Sequence, residues 1–323
     1  KDKSPLAMVN VDIERLHFVK QYASIQEVDQ YYLEALKNTA NSFKGDVAAL
    51  YHYEIAALYD QWAKNFLPIS DEKNQWKRKE ALEICNAIIE KYPKSVAAEK
   101  SLALKSQILS RNLQLKAEGA LPINTASRIL VNYKNMDGLK LSAYTITEGE
   151  KVQLEKIYPI EKQKSFINKL QLAKQWTGTL KNVGDYQNHS TEILLPALPN
   201  GLYVILAEDD ATFAFQTVQV TDIAIVETRR ANEQKFQVIN RNNGFPISGV
   251  PVTLSYQTNY NGPLKKHTTL TDKQGFINTD FSDERWTNIS ISVKSKKDHA
   301  IFGTYFISQN TEVDRLTDTT YFT

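Results

Sequence analysis

Hydrophobic residues recur at steps of three and four in the first third of the chain, and after Arg111 they alternate with polar residues instead. The first spacing places apolar side chains on one face of a helix, whereas alternation is typical of a strand with one buried face. The pattern therefore predicts a helical domain over residues 1–112 and β-structure beyond it. The clearest helical stripe joins Val47, Leu50, Tyr51, Ile55, Leu58, Trp62 and Phe66.

Capping residues predict where the helices begin and end. Ser24–Glu27 matches a capping box, Asp46 is suited to cap the second helix, and Ser95 is suited to cap the fourth. The third helix is expected to stop at Tyr92, because the next residue is proline. The segment Glu80–Ile108 resembles a tetratricopeptide-type helix pair, although the other helices show no matching repeat.

Residues 113–224 predict a first β-sandwich. Strands are expected at Leu113–Glu118, Ser127–Asn132 and Lys140–Thr147, and an Asp-Gly turn between the last two predicts a hairpin. That hairpin would pair Ile129, Val131 and Tyr133 with Leu139, Leu141 and Ala143. Residues 148–188 are rich in lysine and glutamine and predict a helical insertion, which includes Phe166, Leu170, Leu172 and Trp176.

A second predicted hairpin lies at the junction between the two predicted β-domains. Gly201–Glu208 and Ala211–Val220 read as antiparallel strands joined at Asp209–Asp210. The first of these strands is almost continuously apolar, which favours a strand buried on both faces. Thr221–Val226 then leads directly into further β-structure, so we expect this short joint to set the relative orientation of two β-domains.

Residues 225–323 predict a second β-sandwich, because short strands alternate with segments rich in Gly, Pro, Asn and Asp. Asp272 and Gly275 fit a tight turn. The final segment, 318–323, ends on an apparent strand, from which we expect a truncated C-terminal end. The expected strands are Lys235–Ile239, Val250–Tyr256, Ile277–Phe281, Asn288–Val293 and Ala300–Ser308. The fold class is thus predicted as α+β multidomain, with a helical domain before two antiparallel β-sandwiches.

Composition and charge argue against several classes of function. The 323 residues carry a net charge of +2, which gives no general electrostatic case for nucleic acid or an anionic membrane. No stretch approaches the roughly 18 apolar residues of a membrane span. A single cysteine, Cys85, excludes an internal disulfide and a multi-cysteine metal site. The first residues lack a signal-peptide pattern, which fits either a cytoplasmic protein or a mature start after signal removal.

Residues able to carry chemistry form no catalytic, cofactor-binding or metal-binding set. The five histidines, His17, His52, His189, His267 and His299, include no pair at the spacing of a zinc-binding helix. Cys85 occupies an apolar helix position, and Asp272 provides too few ligands for a calcium loop. We therefore expect no enzyme. The helical domain is rich in aromatic residues, which are expected to pack mainly in the core and otherwise to bind a peptide or partner helix: Tyr31, Tyr32, Tyr51, Tyr53, Tyr59, Trp62, Trp76 and Tyr92.

The β half resembles the N-terminal macroglobulin-like domains of bacterial alpha-2-macroglobulin family proteins of the Bacteroidetes type. Four segments carry the resemblance in this order: Arg128–Ile146, Leu198–Val226, Asn240–Tyr256 and Thr271–Phe276. The resemblance implies a scaffold fragment of an endopeptidase inhibitor that traps proteases after bait cleavage. It also implies a location in the periplasm or cell envelope, with a lipid anchor attached through a signal segment outside this sequence.

The family's reactive chemistry does not transfer to this sequence. Cys85 stands in Ile84-Cys85-Asn86-Ala87 and lacks the Gly-Glu-Gln that completes a thioester motif. The resemblance therefore implies proteases as partners only through the full-length parent. The alternative is a cell-envelope binding module that recognises a protein or glycan through the helical domain and sandwiches. Under that alternative, replacing Trp62 or Tyr51 by alanine is expected to weaken binding.

Overall fold

The computed structural model describes residues 5–230, 233–259, 262–277, 286–307 and 319–322. Helices come first and antiparallel sheets follow, which confirms the predicted α+β multidomain class. No helix among these residues has the length and apolar character needed to cross a membrane.

The helical unit contains one helix more than the sequence pattern predicts. Its helices are α1 (Leu6–Tyr22), α2 (Val28–Ser42), α3 (Asp46–Ala63), α4 (Lys77–Lys91) and α5 (Val96–Leu109). Helix α3 is central because it packs against each of the other four. Its buried residues include Leu50, Tyr51 and Ile55, which belong to the predicted apolar stripe. Helices α4 and α5 contain the predicted pair of Glu80–Ile108, whereas their relation to tetratricopeptide repeats stays a prediction.

Two of the three predicted caps are wrong. Helix α2 begins at Val28, after Glu27 in a left-handed conformation with φ 54°, so Ser24 lies too far upstream to cap it. Asp46 is already the first residue of α3, and Gly45 occupies the cap position without a side-chain bond. Ser95 does cap α5, since its hydroxyl accepts a hydrogen bond from the backbone N–H of Ala98 at 3.1 Å.

The first sandwich consists of two sheets that share one core. One sheet has the order β1-β3-β6 and the other the order β2-β8-β7-β4-β5, with every pairing antiparallel except β2 with β8. Ile129 and Val131 from one sheet pack with Leu141 and Ile205 from the other. The strands are β1 (Asn112–Lys116), β2 (Ala120–Leu121), β3 (Ser127–Lys134), β4 (Gly138–Thr145), β5 (Leu172–Thr179), β6 (His189–Leu195), β7 (Gly201–Glu208) and β8 (Phe213–Val220).

The predicted pairing of β3 with β4 is wrong. These strands lie in opposite sheets, β3 between β1 and β6 and β4 between β5 and β7. The link at Asn135, which has φ 58°, carries the chain across the core instead of closing a hairpin. Both strands send their alternating apolar residues into the same core, so the predicted burial pattern is correct although the pairing is not.

The helical insertion is shorter than predicted. It comprises α6 (Glu148–Lys156) and α7 (Ile160–Ile167), and the chain then returns as strand β5. Leu172 and Trp176 therefore lie in a strand that pairs with β4, which corrects their assignment to the helical piece. Leu154 of α6 and Ile167 of α7 cover the outer face of the sheet.

The double burial predicted for Gly201–Glu208 is confirmed. Tyr203 and Ile205 of β7 face the sandwich core, while Val204 and Leu206 pack under the inserted helices. All four side chains are at most 2% exposed. A strand covered on both faces needs apolar residues at successive positions, which explains the unbroken apolar run.

The second sandwich repeats the two-sheet plan. Its sheets have the orders β10-β9-β15 and β12-β11-β13-β14 among the described residues. The expected strand at Ile277–Phe281 lies outside the described residues beyond Ile277, which bridges Thr271. The strands are β9 (Ile223–Arg230), β10 (Glu233–Asn240), β11 (Pro251–Gln257), β12 (Lys265–Leu270), β13 (Trp286–Lys294), β14 (His299–Ile307) and β15 (Thr319–Phe322).

Candidate functional site: two joints of buried polar residues

Eight of the twelve buried polar or charged side chains in the described part of the chain lie at the two boundaries of the first sandwich. A buried polar group destabilises a protein unless it is hydrogen-bonded, so such clusters hold a defined geometry. The cluster between the helical unit and the first sandwich is called joint A, and the cluster between the two sandwiches is called joint B. Their main members are the buried Arg78, Asp185 and Gln187 in joint A, and the buried Thr221 and Asp298 with the half-buried Asn200 in joint B.

Joint A is centred on Arg78, which is 8% exposed in the first turns of α4. Its Nε donates to Asp60 Oδ1 at 3.1 Å within the helical unit. Its Nη1 donates to the Tyr186 carbonyl and to Gln187 Oε1, both at 3.0 Å, in the loop between β5 and β6. One guanidinium therefore ties two helices to the first sandwich.

The same loop makes further hydrogen bonds with the helical unit. Gln187 Nε2 donates to the Gln75 carbonyl at 3.0 Å, and Gln75 Nε2 donates to Asp185 Oδ2 at 3.0 Å. His189 Nε2 lies 2.9 Å from the other oxygen of Asp185. Burial alone would raise the pKa of Asp185, but the hydrogen bonds from His189, the Gln187 N–H and Gln75 outweigh it and hold the pKa below its ordinary value.

A second part of joint A caps the end of α5. The last carbonyls of a helix have no partner inside the helix. Lys134 Nζ donates to the Gln107 carbonyl at 2.9 Å, and Asn135 Nδ2 donates to the Ile108 carbonyl at 2.9 Å. Burial and the nearby Arg78 charge lower the pKa of Lys134. Residues at the end of β3 in the first sandwich thus cap the C-terminus of α5 in the helical unit.

Joint B is centred on Asp298, which is 8% exposed in the turn between β13 and β14. Its carboxylate accepts from the Thr221 hydroxyl at 2.8 and 2.9 Å, from the Asp222 N–H at 2.8 Å and from Asn200 Nδ2 at 2.6 Å. Thr221 is fully buried. The predicted joint Thr221–Val226 is therefore held by a residue far away in sequence.

Further hydrogen bonds extend joint B along both sandwiches. Gln219 Oε1 accepts from the Ile301 N–H at 2.7 Å, and Asn200 Oδ1 accepts from the His299 N–H at 3.2 Å. The Asp222 carboxylate accepts from the Ile123 N–H at 3.0 Å on the side of the first sandwich. The turn between β13 and β14 is thus docked on the end of β8 by side chains from both sandwiches.

Sequence reasoning identifies Thr221 but misses Asn200, Asp298, Arg78 and Gln187. No local pattern around residues 294–298 indicates a distant partner for Asp298, although Ser295 begins the turn that presents it. Asn200 has a local signal in its Pro-Asn-Gly turn, which favours a polar side chain without indicating its partner.

Other candidate residues from the sequence lie outside the two joints. Cys85 is fully buried, and burial raises its pKa to about 11, so the thiol packs as the expected small hydrophobe. Asp272 accepts from the N–H groups of Gln274 and Phe276 at 2.9 and 2.8 Å, as expected for a turn residue. Within the described ranges, no three His, Cys, Asp or Glu residues are placed to hold a metal ion.

The aromatic residues of the helical unit do not form one exposed lining. Tyr51 is fully buried and donates to Asp12 Oδ2 at 3.0 Å, and Trp62 Nε1 donates to Asp29 Oδ2 at 2.8 Å. Tyr31 and Trp76 are exposed at 60% and 45%. Most of the set packs between helices, as the core interpretation predicts.

Comparison with known proteins finds likeness in structure but not in sequence. No family model matches the chain, and no curated protein matches it. A crystal structure of native alpha-2-macroglobulin from Escherichia coli spanning domains NIE-MG1 is similar at a TM-score of 0.42 and 13% identity, over 60% of this chain and 97% of that chain. A longer fragment spanning MG0-NIE-MG1 is similar at a TM-score of 0.42 and 14% identity, over 59% of this chain and 63% of that chain.

The reconstruction of the native conformation of Escherichia coli alpha-2-macroglobulin is similar at a TM-score of 0.37 and 13% identity. The similarity covers 59% of this chain and only 12% of that chain. Values at this level establish neither a family nor a function for the chain.

Proposed function

We propose that this chain is a non-catalytic scaffold of a bacterial inhibitor of the alpha-2-macroglobulin type, in which the order and orientation of the units transmit a change made elsewhere. The observation that carries the proposal is the pair of joints, because each places buried, hydrogen-bonded polar side chains across a unit boundary. The four segments of sequence resemblance, Arg128–Ile146 to Thr271–Phe276, support the family.

The joints suit a mechanical role because their hydrogen bonds are all made in one relative orientation of the units. Interfaces between domains of one chain commonly allow relative motion unless they are large and apolar. Here a rotation at joint B would separate Asp298 from three donors. The buried Thr221 hydroxyl and the Asp222 N–H would lose their acceptor, whereas Asn200 Nδ2 would keep the Val220 carbonyl at 2.7 Å. Units connected in this way move together, so a conformational change after bait cleavage in the parent would reposition them as one body.

The partners, the location and the type of the parent protein are proposed from the sequence resemblance. We propose proteases as partners of the full-length parent, and the periplasm or cell envelope as its location. The Bacteroidetes type, the lipid anchor and the tetratricopeptide relation of α4 and α5 belong to the same proposal. No reactive residue of the described chain takes part in it, and Cys85 remains a core residue.

The test uses the full-length parent, whose gene is first sequenced beyond the codon for Thr323. Further sandwich-sized β segments downstream are expected, with or without a thioester motif. The purified parent is then incubated with trypsin, and retained protease is measured by gel filtration and by activity on a large and a small substrate. Retention with selective loss of activity on the large substrate supports trapping. Digestion of the parent without retention or inhibition overturns it.

A further inference from the structure

Asn200 of joint B is followed by glycine, and Asn-Gly is the dipeptide most prone to lose its side-chain amide. Asparagine is a thermolabile residue in proteins. A following glycine has no Cβ to keep its backbone nitrogen away from that amide. The sequence contains this dipeptide at 200–201, 243–244 and 261–262. The first lies in joint B and the second in an exposed turn, whereas residue 261 lies outside the described residues.

The reaction at such a dipeptide consumes only water. The backbone nitrogen of Gly201 loses its proton and attacks Cγ of Asn200, and the side-chain nitrogen leaves as ammonia. Water then opens the resulting succinimide ring, which gives either aspartate or isoaspartate, in which the chain continues through the side-chain carboxyl. One neutral amide and one water molecule thus become one carboxylate and one ammonium ion, with no oxidation or reduction.

Joint B holds the Asn200 amide away from this reaction. Its Nδ2 donates to Asp298 Oδ1 at 2.6 Å and to the Val220 carbonyl at 2.7 Å, and its Oδ1 accepts from the His299 N–H at 3.2 Å. Both ends of the amide are therefore held by residues outside its own strand. Attack on Cγ comes from above the amide plane and makes that carbon tetrahedral, so the amide has to leave these partners first. When joint B opens, only the contact with Val220 remains.

Deamidation at Asn200 would replace a donor by a negative charge within joint B. The new carboxylate has no N–H to donate to Asp298 or to the Val220 carbonyl, since an ionised carboxylate only accepts hydrogen bonds. It would also lie beside the Asp298 carboxylate, which is 8% exposed, and two like charges so close in a buried site repel each other. Isoaspartate would in addition lengthen the backbone just before β7.

We propose that Asn200 is a deamidation site that joint B protects while it is closed, and that deamidation prevents the two sandwiches from regaining their orientation. An opening of joint B is thereby converted into a lasting covalent change. The proposal rests on the contacts of joint B and is independent of the inhibitor role, so either can fail without the other.

Asn243 provides a comparison within the same chain. Its side chain is exposed, and among the described residues only its Oδ1 is engaged, by the Phe245 N–H at 2.9 Å. No carboxylate holds its Nδ2, and Gly244 follows it as Gly201 follows Asn200. The two sites therefore share their local chemistry and differ in the contacts that hold the amide.

The test is incubation of the native 323-residue protein in mildly alkaline buffer, with peptide mapping by mass spectrometry at successive times. A synthetic peptide with the sequence of residues 196–206 gives the unprotected rate at Asn200. In the native protein Asn200 is expected to deamidate at least about tenfold more slowly than in the peptide, because the reaction requires local opening. Asn243 is expected to react faster than Asn200 in the same molecules.

Asp298→Ala is expected to raise the rate at Asn200 by about tenfold or more, because a hydrogen bond to a charged acceptor is lost. The rate at Asn243 should stay unchanged, and circular dichroism checks that the variant is folded. Thr221→Val provides a second variant, since it weakens joint B without touching Asn200, and a smaller rise is expected. Equal rates at Asn200 in the native protein and the peptide, or an unchanged rate in both variants, overturn the protection.

The consequence of deamidation is tested with the product itself. Asn200→Asp reproduces the aspartate product, and Asn200→Ala removes the amide without adding charge. Both are expected to lower the urea midpoint and to increase interdomain motion in residual dipolar couplings, and Asn200→Asp more strongly, because only it adds a charge beside Asp298. Asn243→Asp is the matched control and should behave like the native protein. Native stability and native couplings in Asn200→Asp overturn the proposed effect on joint B.

Discussion

The hydroxyl of Thr221 donates to both carboxylate oxygens of Asp298, at 2.8 and 2.9 Å, across the boundary between the two sandwiches. The two residues are 77 positions apart in sequence, and both are buried. A carboxylate in such a site is stable only while its oxygens are hydrogen-bonded. The contact therefore sets the orientation of one sandwich on the other more specifically than an apolar patch of the same size, which would permit sliding.

Replacing Asp298 by alanine is expected to destabilise the protein by about 3 kcal/mol. The substitution leaves the Thr221 hydroxyl, the Asp222 N–H and Asn200 Nδ2 without their shared acceptor, and buried donors of this kind carry a penalty of about 1–3 kcal/mol. The free energy of unfolding is measured in urea. The relative orientation of the sandwiches is measured by residual dipolar couplings, which are expected to show increased interdomain motion.

Asp210→Ala is the control for this change, because Asp210 lies exposed in the loop between β7 and β8. It should alter the free energy of unfolding by less than about 0.5 kcal/mol. Thr221→Val, which keeps the shape of the side chain, should give an intermediate loss. Unchanged stability and unchanged couplings for Asp298→Ala would show that joint B does not set the orientation.

Replacing Arg78 by alanine is expected to destabilise joint A by about 3–5 kcal/mol, because Asp60 remains as a buried carboxylate without its main partner. Guanidinium chloride unfolding, followed by far-ultraviolet circular dichroism, measures the loss. The helical signal is expected to disappear at a lower denaturant concentration than in the native protein.

Arg128→Ala provides the comparison, since its pair with Glu192 is formed by side chains that are 72% and 54% exposed. A surface pair of this kind contributes about 0–1 kcal/mol. Equal losses for the two arginine variants would contradict the role given to Arg78.

Stability is expected to fall in acid because of Asp185. Its pKa in the folded protein is below the ordinary value of 3.8, so its contribution is fully present above about pH 4 and is lost as the pH falls through the lower folded pKa. Urea midpoints at about pH 5 and about pH 3 measure this loss. Asp185→Asn should be less stable at pH 5 and should show a smaller drop between the two values than the native protein or Asp210→Asn. An equal drop in all three proteins would assign the acid sensitivity to other carboxylates.

Replacing Tyr51 by alanine is expected to destabilise the helical unit by about 3–5 kcal/mol, because the side chain is fully buried and its hydroxyl contacts Asp12. A loss of ligand binding in this variant would therefore report unfolding and not a contact. Tyr31→Ala, at an exposed position, should leave the thermal midpoint within about 2 °C. Thermal unfolding by circular dichroism distinguishes these outcomes, and a stable Tyr51→Ala protein would contradict the assigned burial.

The features that sequence predicts correctly depend on local pattern. The apolar run in Gly201–Glu208 is sufficient to predict a strand buried on both faces, and Ser95 is recognisable as a cap because its partner is three residues away. The turn at Asn135 is misleading, because a turn signal does not show whether the next strand pairs with its predecessor or crosses to the opposite sheet.

The joints are largely hidden in the sequence for a different reason. Arg78 and the Tyr186 carbonyl are 108 positions apart, and the sequence contains no periodicity that connects them. Buried polar residues at such positions look like ordinary surface residues until the fold brings their partners together.

Replacing Gly275 by alanine is expected to disrupt the turn that supports β10. Gly275 has φ +80°, and an added Cβ would lie 2.5 Å from the Val238 carbonyl oxygen. Gly244→Ala is the matched control, because Gly244 has φ +74° but nothing within 4 Å of an added Cβ. Both variants are expected to lose about 1–2 kcal/mol from the left-handed backbone. Gly275→Ala should lose about 1–3 kcal/mol more from the clash.

Urea unfolding measures the difference between the two glycine variants, and amide hydrogen exchange locates it. The Val238 N–H donates to the Gly275 carbonyl at 2.8 Å, so its protection should fall in Gly275→Ala and persist in Gly244→Ala. Equal destabilisation by the two substitutions would mean that the backbone conformation alone, and not the close approach to Val238, requires glycine at position 275.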